Sequence, residues 1–212
     1  MSYRSFWLIF GLIFSTSVVH AENPTFGPSL LVGFPHPINL SVDKRVTDKY
    51  SAGIAAGALS LTLQSSGIKV SVSNFEVRGR WHPFSGSFIL GGILGYQHLV
   101  GSGSTSILVL NANVPTTVNL IVNSLFFTPH LGWFWTWSSG FTLGFELGLQ
   151  IPLSPKSTLD VTIDDPLYNS LLDLVKLTSP YQKLESDIEG QANRLAKSAL
   201  PYATALRLGW MF

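Results

Sequence analysis

The sequence predicts an all-β fold: an eight-stranded antiparallel meander β-barrel that crosses a membrane, with a helical insert before its last strand. Three observations lead there. Charged residues make up only 12% of the 212-residue chain, about half the share usual in soluble domains. After the N-terminal stretch, no apolar run is long enough for a membrane helix, because Gly, Ser, Asn or a charge interrupts every few residues. The segments between turn signals alternate bulky apolar with small or charged residues, which is the period of a strand. An apolar chain without a spanning helix has one other way to satisfy its backbone in a bilayer, a closed barrel.

The elements follow in order. Residues 1–21 read as a secretory signal, with Arg4 as the positive n-region, "FWLIFGLIF" as the apolar core and Val19-His20-Ala21 before the cleavage site. Residues 22–212 then form one barrel domain. The first strand, 26–34, is interrupted by Pro28 and stopped by Pro35. The second, 37–46, sets Ile38, Leu40 and Val42 against Asn39, Ser41, Asp43 and Arg45. In the third, 50–63, the apolar positions switch from even to odd near Leu59, which predicts a β-bulge. The fourth, 69–82, sets Phe75, Val77 and Trp81 against Asn74, Glu76, Arg78, Arg80 and His82.

Segments 87–99 and 121–137 supply the fifth and sixth strands. The seventh, 141–151, has the cleanest pattern: Phe141, Leu143, Phe145, Leu147, Leu149 and Ile151 oppose Thr142, Gly144, Glu146, Gly148 and Gln150. The eighth, 201–212, sets Tyr202, Thr204, Leu206, Leu208, Trp210 and Phe212 against Ala203, Ala205, Arg207, Gly209 and Met211. A soluble sandwich would place Lys, Glu and Thr opposite its core. Gly, Ala and single charges suit instead the narrow interior of a small barrel whose bulky face meets lipid.

The connections give the same strand number. Short turns at 46–49, 84–87 and 137–140 alternate with long links at 100–120 and 152–200, as in barrels with short periplasmic turns and long outer loops. The link 100–120 is uncharged and predicts strands that continue past the membrane as a hairpin. The insert 152–200 predicts two extracellular amphipathic helices, one with Leu167, Leu171, Leu174 and Val175 as its stripe, the other with Tyr181, Leu184, Ile188, Ala192, Leu195 and Ala199. Trp81, Phe84, Phe88, Trp133, Trp135, Trp137, Phe141, Trp210 and Phe212 cluster beside the short turns and the carboxyl end, where an aromatic girdle belongs.

In these features the chain resembles the small bacterial outer-membrane β-barrels. The resemblance implies a place in the outer membrane, with its lipid as the surrounding partner. It also implies recognition by the barrel-assembly machinery, for which Trp210 and Phe212 in "LRLGWMF" form the signal. It implies nothing about activity, because one fold hosts many functions.

The chemistry that can be read is mostly interior. Asp43, Arg45, Glu76, Arg78, Arg80, Glu146 and Arg207 share the inward phase with His82 and His130. Opposite charges there predict a salt-bridge plug, since an unpaired buried charge costs several kcal/mol and an eight-stranded interior has room for little beyond its own side chains. The expected role is therefore structural or loop-mediated binding, without catalysis. The alternative is a narrow pore or transporter for small solutes, apolar ones included.

No cysteine is present, the net charge is +1 and no basic block occurs, so disulfides, thiolate metal sites and nucleic-acid partners are not expected. No metal motif and no phosphate-cradling glycine loop appears, so no cofactor is expected. The arrangement nearest to a nucleophilic site is His98 with Ser102 and Ser104, and no carboxylate is in place to orient the imidazole.

Overall fold

The computed structural model describes residues 25–63, 67–84, 86–109, 112–163 and 196–212, together with Lys176, Leu177, Tyr181, Gln182, Ser186, Gly190 and Arg194. The expected signal at 1–21 lies outside these residues, as do the expected helices of the insert except for isolated positions.

Nine strands are described: β1 (Phe26–Phe34), β2 (Ile38–Arg45), β3 (Tyr50–Leu63), β4 (Ile68–Trp81), β5 (Phe88–Val109), β6 (Ala112–Thr136), β7 (Phe141–Pro152), β8 (Lys156–Ile163) and β9 (Leu200–Trp210). Eight of them, β1 to β7 and β9, close into an antiparallel ring, with β1 paired to β9 and β5 to β6. Past Trp210 the backbone still pairs, because Phe212 N–H donates to the Phe26 carbonyl at 2.7 Å and its own carbonyl accepts from Thr25 N–H at 2.8 Å. The carboxyl end is thus stitched to the first strand.

The tight turns 46–49 and 137–140 lie at the end of the ring that also holds this carboxyl terminus. In the last of them Gly140 has φ +90°, and a Cβ there would collide with the Met211 carbonyl. Glycine is required by both conformation and space.

Along β2 and β7, odd and even positions alternate between buried and outward-facing as the side-chain phase demands. The outward residues include Leu40, Ile54, Phe75, Val77, Leu94, Leu131 and Leu147, each at least 40% exposed. A barrel that faces water does not present such a continuous apolar belt.

Three features differ from the sequence expectation. First, β3 has no bulge at Leu59: it runs in unbroken register with β4 from Tyr50↔Trp81 to Leu63↔Ile68. What changes is the surroundings. The outward row Leu40–Ala56–Phe75–Tyr96–Leu125 is followed along the strands by Ala58–Ser73–His98–Asn123–Lys156 and then by Ser60–Ser71–Val100–Ile121–Thr158. On the inner side, Gly57–Asn74–Gln97–Ser124 gives way to Leu59–Val72–Leu99–Val122 and then to Leu61–Val70–Gly101–Leu120–Leu159. At this height the inner face turns apolar and the outer face gains polar residues, with Val100 and Ile121 still among them, while the backbone continues straight.

Second, the segment after β7 opens with a strand rather than a helix. β8 continues along β6 beyond the end of β7, from Asn123↔Lys156 to Thr116↔Ile163. With the hairpin of β5 and β6 it raises a crest above one side of the ring.

Third, β9 carries the bulge. Its neighbours both step past Ala205, because Val32↔Leu206 is followed by Gly33↔Thr204, and Gly144↔Arg207 by Glu146↔Thr204. The extra residue reverses the phase. Tyr202 and Thr204, expected on the bulky outer face, are therefore turned into the interior together with Arg207.

Candidate functional site

The interior is organised around Glu146 on β7. Its inward neighbours on the same strand are Gly144 and Gly148, and the space they leave is occupied from other strands: a Cβ on Gly148 would stand 2.8 Å from Cβ of His130, and one on Gly144 3.5 Å from Cδ of Arg207. Glu146 Oε1 accepts from Arg80 Nε at 3.0 Å and Arg207 Nη1 at 3.1 Å. Its Oε2 accepts from Arg78 Nη1 at 3.2 Å and from the Tyr202 hydroxyl at 3.3 Å. Three guanidinium groups from β4 and β9 thus meet on one carboxylate.

The other two carboxylates sit on either side. Asp43 on β2 accepts from Arg80 Nη1 at 2.8 Å, and its second oxygen takes Arg207 Nη2 and, at 3.0 Å, the Ser41 hydroxyl. Glu76 on β4 holds Arg78 through Nη2 at 2.6 Å and Nε at 2.9 Å. Its other oxygen accepts from Asn74 Nδ2 at 2.9 Å, and His36 Nδ1 stands 2.7 Å from it. The Phe134 ring lies beneath the Arg207 guanidinium at 4.9 Å, where its face attracts the cation. Asp43, Glu76, Glu146, Arg78, Arg80 and Arg207 are all at most 3% exposed. Three positive and three negative charges interlock across the lumen, each held by charge-assisted bonds.

Several participants were not read from sequence. Tyr202 was hidden by the bulge, although Thr204 and Arg207 stand three apart and cannot share one face of a regular strand. His36 belongs to the turn between β1 and β2, where no side-chain phase points to the interior. The turn folds inward, so that His36 is 4% exposed, packs 5.2 Å from the Phe126 ring and contacts Gln97 Oε1 through Nε2 at 3.2 Å. It closes the charged layer from the crest side.

Not every expected member joins the cluster. Arg45 is half-exposed near the turns and forms no ion pair among the described residues. His82 points inward but meets Ser51, Nε2 to Oγ 3.2 Å. His130 stands 4.0 Å from Glu146 Oε2, with its Nδ1 on the Thr128 carbonyl at 3.3 Å.

The aromatic residues form chains of ring contacts near the turn end. Phe84, Phe88 and Trp133 touch in sequence at 6.0 and 5.5 Å, and Trp133 stacks on Phe145 at 4.9 Å, with Trp135 on the same ring at 6.0 Å. Trp137, Phe141 and Trp210 make a second chain at 5.3 and 6.4 Å. Trp81 and Phe212 are exposed on the outer surface.

His98 faces outward and has Asn123, not serine, as its partner: Nδ1 to Oδ1 is 2.7 Å. Ser102 lies four residues along the same strand, about 13 Å away by strand rise. The geometry does not form a Ser–His pair there.

No family model and no curated protein matches the sequence. Among solved structures, the chain is similar to CarO of Acinetobacter baumannii, with 12% identity and a TM-score of 0.49 over 90% of this chain and 98% of that one. It is also similar to CarO2 of Acinetobacter baumannii, with 10% identity and a TM-score of 0.44 over 89% and 99%. At these values the likeness says nothing about activity.

Proposed function

We propose that the chain is a non-enzymatic outer-membrane β-barrel protein whose lumen is shut by its own ion pairs and whose role is structural or is exercised in binding at the crest. The supporting observation is the six-charge layer, buried and internally paired across the lumen. The belt of outward apolar side chains, bounded by aromatic rings at the turn end and by a polar row at the crest, fits a hydrocarbon slab. In this reading the turns are periplasmic, the crest is extracellular, and Trp210 with Phe212 serves as the assembly signal. Tyr181 is buried, whereas Gln182, Ser186, Gly190, Arg194 and Lys197 are exposed, at a spacing that suits one helical face turned to water.

Single-channel recording in planar bilayers tests the closed lumen. The protein is expected to give no stable, uniform openings. Frequent openings of one size would contradict the plug.

A second reading, a narrow transporter for small apolar solutes, draws on the inward rows Leu59–Val72–Leu99–Val122 and Leu61–Val70–Leu120–Leu159, an apolar wall above the charged layer. It requires uptake that disappears when Leu61 and Val70 are both made aspartate.

A further inference from the structure

Where the outward face turns from apolar to polar, four side chains gather. Tyr96 on β5 donates its hydroxyl proton to Asn123 Oδ1 at 2.8 Å, and His98, two residues on, approaches the same oxygen with Nδ1 at 2.7 Å. An amide oxygen only accepts, so with Asn123 Oδ1 as the shared acceptor both the Tyr96 hydroxyl and His98 Nδ1 act as donors. The same two bonds orient the Asn123 amide, so its NH₂ group points away from them. Lys156 stands directly across from Asn123 in the β6–β8 register. The bonds of Asn123 run through Oδ1, which leaves its NH₂ to other acceptors, and among the described residues Lys156 forms no ion pair with a carboxylate. Asp160 is the acidic group of this face of β8. It stands opposite Asn119, four residues beyond Lys156 and about 13 Å away by strand rise, so it does not neutralise the lysine.

This cluster is polar on a surface whose next row toward the turns is Phe75–Tyr96–Leu125. If the belt is in hydrocarbon, the cluster lies at the level where lipid headgroups begin. Tyrosine with its ring in the apolar zone and its hydroxyl at the edge is the usual interfacial placement. Directed donors and an ammonium with no carboxylate partner among the described residues, at that depth, suit a phosphate on a lipid headgroup.

We infer that Tyr96, His98, Asn123 and Lys156 form a binding site for the phosphorylated headgroup of an outer-leaflet glycolipid. The inference rests on the outer-membrane reading above. Asn123 and Lys156 supply the hydrogen-bond donors, and Tyr96 and His98 hold the amide in place.

Native mass spectrometry of the folded protein in detergent tests it, with bisphosphorylated lipid A as the probe and its dephosphorylated form as the comparison. The unaltered protein is expected to retain the bisphosphorylated lipid about tenfold more strongly. The double variant Asn123→Leu with Lys156→Ala is expected to lose that preference while keeping its heat-shifted mobility on gels, which reports the folded barrel. Excess inorganic phosphate should leave the lipid bound. Displacement by inorganic phosphate alone, or equal retention of the two lipids by the unaltered protein, would overturn the site. So would an unchanged preference in the folded double variant. Should that variant fail to fold, Lys156→Gln alone carries the same comparison. Insertion into lipid vesicles is scored separately: a protein that does not insert refutes the membrane reading, whereas one that inserts without a phosphate preference refutes only this site.

Discussion

Glu146→Leu is expected to lower the stability of the folded barrel by about 3–5 kcal/mol, the usual consequence of removing one partner from a buried ion network. The reason is local and specific. Glu146 accepts from Arg78, Arg80 and Arg207, and leucine leaves three buried guanidinium groups with only Asp43 and Glu76 to balance them. Urea unfolding in vesicles, followed by tryptophan fluorescence, reads the effect as a lower midpoint. Arg207→Leu alone should also destabilise, because it deprives both Asp43 and Glu146 of a donor. Added to Glu146→Leu it should cost much less than it does alone, since residues in one network are not additive. Unchanged midpoints in both single variants would mean that the layer contributes nothing to stability.

The second large effect concerns the outer face. Leu147→Arg is expected to destabilise the inserted barrel by about 2–4 kcal/mol, the penalty for arginine near the middle of a bilayer on a lipid-facing strand position. Leu147 is 50% exposed at the middle of β7. On a protein surrounded by water the same exchange at so exposed a position would stay within about 0.5 kcal/mol, so the size of the effect identifies the solvent. Thr158→Arg, on the polar outer face of the crest, serves as the control and should have almost no effect. Equal, small effects at both positions would point to water on both.

Much of this architecture was legible because the strand period is short and each face sees a different environment. The strands around Ile38–Val42, Phe75–Trp81 and Phe141–Ile151 declare their inner and outer faces residue by residue. Legibility failed where the period or the surroundings changed. At Ala205 the bulge shifts the phase of β9, but Leu206, Leu208, Trp210 and Phe212 look like a continuation of Tyr202 and Thr204, so the interior tyrosine was placed outside. At Leu59 the opposite error arises. A change of surroundings along a straight strand produces the same switch in pattern as a bulge, and only the register of several neighbouring strands distinguishes them. β8 is short and half polar, with Lys156, Thr158, Asp160 and Thr162 opposing Ser157, Leu159 and Val161, and it was merged with the helical signal that follows. His36 lies in a turn, where side-chain phase has no predictive value.

The bulky outward rows are expected to be surrounded by lipid, with the boundary between Phe75–Tyr96–Leu125 and Ser73–His98–Asn123. Single cysteines carrying nitroxide labels at Leu94, Leu131 and Leu147, and at Ser71 and Thr158 on the crest, measure this directly through relaxation by oxygen and by a water-soluble nickel complex in vesicles. The first three labels are expected to be relaxed by oxygen and shielded from nickel, the last two the reverse. Labels at Leu94, Leu131 and Leu147 that nickel relaxes as freely as those on the crest would mean that water, not lipid, surrounds the outward rows.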